Sequence, residues 1–430
     1  MTSYKKYTEY YLFTIMCIIP LFYLPASQLD PFRLPKVLLW TVSLMSTLVL
    51  LLFEKLKSRS KKRIFKVSNS KIYWIFTLYA VIWTISTIFS VDWLISLSGI
   101  PLFNGLIQLF MSIVTFILVC SHYQFEEKHL TYILIVYSMI ALYCVLQFYD
   151  LDPFSNYYGD LVRMYKGQTF ATIGNQNYVS TCLSVIYVIT AFFFITRNRT
   201  LPKAVLYFIG LLIIFAGIIV TKTRGGWVAI AISFAIAMPV VMNNKVFFRR
   251  YTAVIISSLA VLLIIDVTSG GAIIANRIMP MFFQAAEISK GNISSDFGSR
   301  RVEIWMNSVE LVKKYWLIGS GPDTFTTVYS NFGFYPRDSL GNEQIAFLSA
   351  HNESLQLMIT TGIFSLLTYW VMVASIIKVG IKRIKLDQRM VPLLLGLVCY
   401  LIKGMFNCSV VTDMIIFWVL LALIYSNQNE

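Results

Sequence analysis

A chain of 430 residues with 57% hydrophobic and only 13% charged side chains, at a mean hydropathy of +0.69, is too apolar for a soluble globule. Its formal net charge of +15 is carried by loop lysines and arginines that topology and anionic lipid account for, so it does not indicate nucleic-acid binding. Six cysteines (Cys17, Cys120, Cys144, Cys182, Cys399, Cys408) lie in or at the ends of apolar stretches with no CxxC pair, which excludes a disulfide framework or a zinc site.

Crossing a hydrocarbon core takes about 17–25 apolar residues. Runs of that kind occupy 10–26, 37–54, 71–90, 103–121, 130–149, 177–196, 204–221, 226–243, 252–269, 354–377, 391–407 and 410–426. The fold class is an all-α polytopic membrane protein of about twelve transmembrane helices with one large helical exocytoplasmic loop. Its divisions are 1–269 (helices 1–9), the loop domain 270–352, and 353–430 (helices 10–12). Lys5 and Lys6 precede the first run and no small-residue cleavage site follows it, so it is expected to stay as an uncleaved anchor.

Loops on the cytoplasmic side collect Lys and Arg. With the N-terminus inside, the inner loops hold 22 of the 36 basic residues. The rest of the outer side holds 7, and 7 more lie in 270–352. Both termini are therefore expected in the cytoplasm and the long loop outside, in the cytoplasmic (inner) membrane. The dense run Lys55 to Lys66 then lies against the anionic inner leaflet, with membrane lipids as its partners. Topology leaves unexplained the outward cations Arg163, Lys166, Lys222, Arg224, Arg277, Arg300, Arg301 and Arg337.

Asp150-Leu-Asp152 has the form of a metal-holding DxD, but a metal site needs further oxygen ligands. A turn before Pro153 is the simpler role, and no metal or cofactor is expected. Thr221-Lys-Thr-Arg224-Gly225-Gly226 joins two spans in a few residues, which pins Arg224 at headgroup depth, where a phosphate would sit. The paired glycines let a ligand approach the backbone. Arg300 to Trp316 reads as an amphipathic helix with Val302, Trp305, Val309, Val312 and Trp316 on its packed face. At 100° per residue Arg301 falls roughly 60° from that stripe and Arg300 roughly 160°. Arg301 therefore borders the packed side and Arg300 faces water, with Glu303 as a carboxylate in reach and Glu310 and Lys314 as a solvated pair. His351 stands before the next apolar span, with Asn352 as N-cap and Glu353 in the first turn. The helix dipole there disfavours the imidazolium, and a neutral imidazole can serve as a general base. His122 and His129 are expected on the inner surface. Aromatics in the outer loops (Trp93, Phe154, Tyr157, Tyr158, Phe332, Phe334, Tyr335) fit an interfacial belt.

These motifs, in this order, resemble the bacterial O-antigen ligase and O-antigen polymerase family of polytopic GT-C-like glycosyltransferases. The resemblance rests on Thr223-Arg224-Gly225-Gly226, Arg301-Val-Glu-Ile-Trp305, Ile318-Gly-Ser-Gly-Pro-Asp-Thr-Phe325, and His351-Asn352-Glu353 leading through Leu355, Gln356 and Leu357 to Thr361-Gly362. Upstream, Thr172-Ile-Gly174-Asn175-Gln-Asn177-Tyr178 is similar to the Gly-Asn-x-Asn element that opens a span in these proteins. The likeness covers roughly 170 to 365. One departure is the loop Gly99-Ile-Pro-Leu-Phe-Asn-Gly105, which lacks the arginine that relatives often carry there and so puts a third cationic contact in doubt.

The resemblance implies a donor oligosaccharide linked to undecaprenyl diphosphate and an acceptor hydroxyl on a glycan, lipid or protein, with transfer on the outer face. It implies catalytic roles for Arg224, Arg301 and His351, and substrate contacts from Thr223, Gly225, Asn175, Asn177, Trp305, Asn352 and Arg300. A metal-independent inverting displacement follows, with the arginines taking the charge of the leaving diphosphate and His351 the proton of the acceptor. Repeat-unit polymerase is the first reading and a ligase to a lipid core or protein the second. A flippase for lipid-linked sugars is the third, although no internal repeat of the transporter kind is evident.

Overall fold

The computed structural model describes residues 3–24, 30–58, 64–65, 71–154, 168–292, 294–295, 297–334 and 347–426, and among them there is no strand. The apolar runs fold into helices. These are α1 (Ser3–Phe13), α2 (Arg33–Ser58), α3 (Lys71–Ile88), the short α4 (Trp93–Ser98), α5 (Leu106–His122) and α6 (Glu127–Phe148). After residues 155–167 come α7 (Gln176–Thr196), α8 (Leu201–Val220), α9 (Arg224–Met242) and α10 (Lys245–Thr268). The chain ends in α14 (Glu353–Arg383), α15 (Met390–Gly404) and α16 (Val411–Tyr425), and between lie α11 (Met279–Ser289), α12 (Phe297–Tyr315) and α13 (Phe325–Asn331).

Eight of these helices, α2, α3, α6 to α10 and α14, are long and apolar enough to cross a membrane. The expected count of twelve is not reached on length. α5, α15 and α16 have 17, 15 and 15 residues. The first run leaves α geometry at Thr14, passing through a π turn (Thr14–Ile18) and a 3-10 turn (Ile19–Leu21) around Pro20. α15 stops at Gly404, three residues short of the expected 407, because the chain turns there toward the site described below.

The centre of the bundle is α7, apolar on every side and buried along almost its whole length, as such a helix must be. α8, α9, α15 and α16 pack around it, and α3, α5, α6 and α14 complete the shell. α2 lies at the rim. Its Leu38, Val42, Met45, Val49, Leu52 and Leu56 recur at helical spacing and are all at least half exposed, the stripe expected of a helix that faces lipid.

α14 is broken at Gly362, whose φ of +81° and ψ of +175° interrupt the ladder. The freed groups bond to the Ile318-Gly-Ser-Gly motif. Ser320 N donates to Ile359 O (3.0 Å), Gly321 N to Thr360 O (2.8 Å), and Ile363 N to Trp316 O (2.7 Å). A Cβ on residue 362 would run into the backbone of Leu317 and Ile318, so only glycine fits. Two motifs of the resemblance are thus a backbone splice: each satisfies the other's orphaned donors and acceptors. Asp323 of the same motif is buried and accepts from Leu102 N (2.9 Å), which fixes the Gly99–Gly105 loop against it.

The interval 270–352 holds a π turn (Ile274–Ile278), then α11, α12 and α13. Ile304, Leu311, Phe325, Val328, Tyr329 and Ala350 form a second small core with Ile359 of α14. The register of α12 differs from the expected one. Its buried face is Ile304, Ser308 and Leu311, whereas Val309 and Trp316 are half exposed, because α13 and α14 pack one residue round from the stripe that hydropathy alone selects. Gly298, Ser299 and Arg300 sit at φ of about +60°, so the regular helix begins at Arg301 rather than Arg300. Glu310 pairs with Lys313 (2.7 Å) in place of Lys314, whose ammonium lies over Tyr315 and Phe332 instead.

Candidate active site

Segments far apart in sequence line one cleft of about 420 Å³ where α7 and α9 begin. Asn177 comes from the first turn of α7, Lys222, Thr223, Arg224 and Gly225 from the turn before α9, and Arg277 and Gln284 from the π turn and α11. Arg301 and Trp305 come from α12, His351 from the residue before the Asn352 cap, and Phe406 from the turn after α15. Four of these are cations, and among the described residues no carboxylate lines the cleft.

Arg224 opens α9, two residues after Lys222, which is held at φ +55°. Gly226 lets α9 lie directly on α7, since a methyl there would overlap the Ser180 and Ser184 hydroxyls. Arg224 Nη1 donates to Gln284 Oε1 (2.9 Å), and Gly298 N donates to the same oxygen (3.4 Å), so one amide joins the two halves of the cleft. Arg224 Nε is buried and has no hydrogen-bond partner among the described residues. Lys222 lies over the Phe148 ring at 4.9 Å, and burial together with Arg277 pushes its pKa down.

Arg301 donates from Nε to Phe406 O (3.0 Å) and from Nη1 to Gly298 O (2.8 Å). Burial, then the field of Arg224, lowers the pKa of its guanidinium, and an arginine side chain remains a cation in proteins. Arg300 turns the other way. It forms a two-point pair with Glu303 (2.7 and 3.0 Å) and lies over the Phe347 ring at 5.7 Å, outside the cleft. The carboxylate in reach of the pair of arginines therefore belongs to Arg300.

His351 has φ +48° and is aligned by its neighbours: Trp305 Nε1 donates to Ala350 O (3.0 Å), and Ala350 N donates to Gln356 Oε1 (2.9 Å). Its Nδ1 is buried with no hydrogen bond among the described residues. Burial first, and then Arg301, push the imidazole pKa down to about 4, so the ring is neutral at physiological pH. Burial and a neighbouring cation do what a helix dipole was expected to do.

Of the residues singled out in sequence, Arg224, Arg301, His351, Thr223, Gly225, Asn177 and Trp305 line the cleft, and Asn175, Asn352 and Arg300 do not. Asn175 and Asn352 are spent as N-caps, accepting from Asn177 N (2.8 Å) and Leu355 N (3.0 Å). Asp152 accepts from Tyr143 Oη (2.9 Å), Gln147 Nε2 (3.0 Å) and Phe154 N (2.9 Å), a turn closure at the end of α6. His122 and His129 are half-buried rather than on the open surface, bonded to Ile64 O (2.6 Å) and the Tyr123 hydroxyl (2.9 Å). Arg163, Lys166, Arg337, Tyr157, Tyr158 and Tyr335 lie outside the described residues. Lys222 and Arg277 carried a signal as unexplained outward cations. Gln284 and Phe406 carried none, since an amide on an amphipathic helix and a phenylalanine after an apolar run are unremarkable until the chain folds.

Among the described residues, many membrane-long helices, no strand, and a cleft lined by four cations and no carboxylate at one end of them define a multi-pass membrane protein with a cationic cleft. Compared with models of known families, residues 209–370 match the family described as O-antigen ligase, a stretch that contains Arg224, Arg277, Arg301 and His351. Over that stretch, rather less than half of its length, the chain is similar to the O-antigen ligase family. No curated protein matches it.

Proposed function

We propose that the protein is a polysaccharide repeat-unit polymerase. It moves a glycan from undecaprenyl diphosphate to an acceptor hydroxyl on the outer face of the cytoplasmic membrane, by an inverting displacement without metal. The observation that carries this reading is the convergence of Lys222, Arg224, Arg277 and Arg301 on one cleft beside a neutral His351. As the acceptor oxygen bonds to the anomeric carbon, the bond from that carbon to the diphosphate breaks on the opposite face. The electron pair stays on the departing phosphate oxygen.

Arg224 and Arg301 take up that charge through guanidinium forks that match phosphate oxygens, each hydrogen bond contributing about 1.5–3 kcal/mol. Lys222 and Arg277 add field without fixed geometry. The acceptor proton passes to His351. Its low basicity rises once the dianionic diphosphate offsets Arg301.

The family description names a ligase, and ligation to a lipid core or protein acceptor is the second reading. Purified protein in nanodiscs, given a defined undecaprenyl-diphosphate oligosaccharide with and without candidate acceptors, tests both. Lengthening of the lipid-linked glycan supports the polymerase, and single transfer to an added core or protein supports the ligase. Movement of intact donor between leaflets with neither product refutes glycosyl transfer.

A further inference from the structure

The turn between α15 and α16 lies outside the matched stretch, yet it bonds to Arg301, Asn352 and Glu353. Phe406 O accepts from Arg301, Met405 O accepts from Asn352 Nδ2 (3.3 Å), and Ser409 donates through N (2.8 Å) and Oγ (3.0 Å) to Glu353 Oε2. In the middle of that turn stands Asn407. It is 2% exposed, and neither Oδ1 nor Nδ2 has a hydrogen-bond partner among the described residues. Leaving both ends of a buried amide unbonded costs several kcal/mol, so the native site must use them.

Asn407 stands beside the His351 ring, whose own Nδ1 is buried and unbonded. On its other side Asn407 borders a water-sized cavity of about 10 Å³ shared with Lys403 and Asp413. The Asp413 carboxyl on that cavity accepts from Val410 N (2.7 Å), and of the two ends of the Asn407 amide only Oδ1 can accept from an imidazole N–H.

We infer that Asn407 is the positioning residue of His351. Its Oδ1 accepts from His351 Nδ1–H, which fixes the ring and leaves the Nε2 lone pair toward the cleft to receive the acceptor proton. The charged groups that face the ring are Arg301 from α12 and Lys403 from α15, with Glu353 of α14 and Asp413 of α16 behind the same turn. Burial first, and then Arg301, keep the ring neutral, and the uncharged amide of Asn407 raises its basicity without reversing that balance.

The proton-acceptor role rests on the proposed glycosyl transfer, but the tautomer does not. The chain has three histidines, so 15N-histidine labelling of the full-length protein in lipid gives three imidazole signals, and the one missing in His351→Gln is His351. At pH 7 that signal is expected as neutral Nδ1–H, and in Asn407→Ala as mixed tautomers, with kcat roughly a hundredfold lower and KM little changed. Asn407→Asp, which keeps the shape, is expected to move the acid limb of the rate profile to higher pH, because a carboxylate beside the ring stabilises the imidazolium. An Nε2–H ring in the unmutated protein, a tautomer unchanged by Asn407→Ala, or an acid limb unmoved by Asn407→Asp overturns the inference. If the tautomer responds as expected but no glycan is transferred, the positioning stands and the proposed function fails.

Discussion

Arg301 and Arg300 are neighbours in sequence with opposite prospects. In Arg301→Ala the cleft loses a guanidinium that reaches the proposed diphosphate, at most two charge-assisted hydrogen bonds of about 1.5–3 kcal/mol each. A loss of about 3–6 kcal/mol in the transition state lowers kcat/KM by roughly two to four powers of ten. Arg300→Ala breaks the pair with Glu303, whose side chains are 31% and 27% exposed, and the contact with the Phe347 ring, both outside the cleft. Such a pair is worth about 0–1 kcal/mol, less than about fivefold in rate. Initial rates with a polyprenyl-diphosphate oligosaccharide in nanodiscs separate the two. Thermal melting of each variant is needed alongside, because Arg301 also tethers Phe406 O and Gly298 O. Equal losses from the two substitutions at equal stability would show that the side of α12 on which each arginine lies does not matter.

Arg224→Lys is expected to lose most transfer activity, since a point charge cannot reproduce the fork that binds Gln284 and a phosphate together; near wild-type glycan output refutes the clamp. His351 titrates near 4 in the folded protein against about 6.5 unfolded, so the unfolded chain binds the extra proton between those values. Stability is complete above pH 6.5 and falls by about 3 kcal/mol as the pH drops to 4, and melting curves of His351→Gln should lack that part of the acid loss. Gly226→Ala should destabilise the protein by about 1–3 kcal/mol through overlap with Ser180 and Ser184. Ser180→Ala in the same chain should recover part of it, and additive melting shifts would argue against the overlap. Transfer by washed enzyme should persist in EDTA, and its abolition would return Asp150 and Asp152 to consideration.

The places of the helices were legible because a lipid-crossing helix must satisfy its backbone internally and present apolar side chains for about 20 residues. Arg224 and His351 were legible for a similar reason: a charge or a histidine at the edge of an apolar run has few structural uses. The register of α12 was not, since Val309 and Trp316 are as hydrophobic as Ile304 and Leu311 and only the placement of α13 and α14 chooses between them. Asn175, Asn352 and Arg300 stand outside the cleft, because a cap or a surface pair beside a site residue looks the same in sequence as a residue that lines it. Asn407 was missed altogether. Its meaning lies in two unbonded atoms and a ring, and neither leaves a trace in composition or spacing.

The absence of carboxylates among the described residues around the four cleft cations has a consequence for turnover. On the proposed chemistry the donor is a diphosphate diester and the product a monoester, which carries one more ionisable oxygen. A cleft that holds positive charge with no internal counterion binds the more highly charged of the two more tightly, so the spent lipid carrier outcompetes fresh donor at equal concentration. Its departure, rather than bond making, then sets the pace. Steady-state rates should fall as product builds up and recover when a phosphatase removes the terminal phosphate.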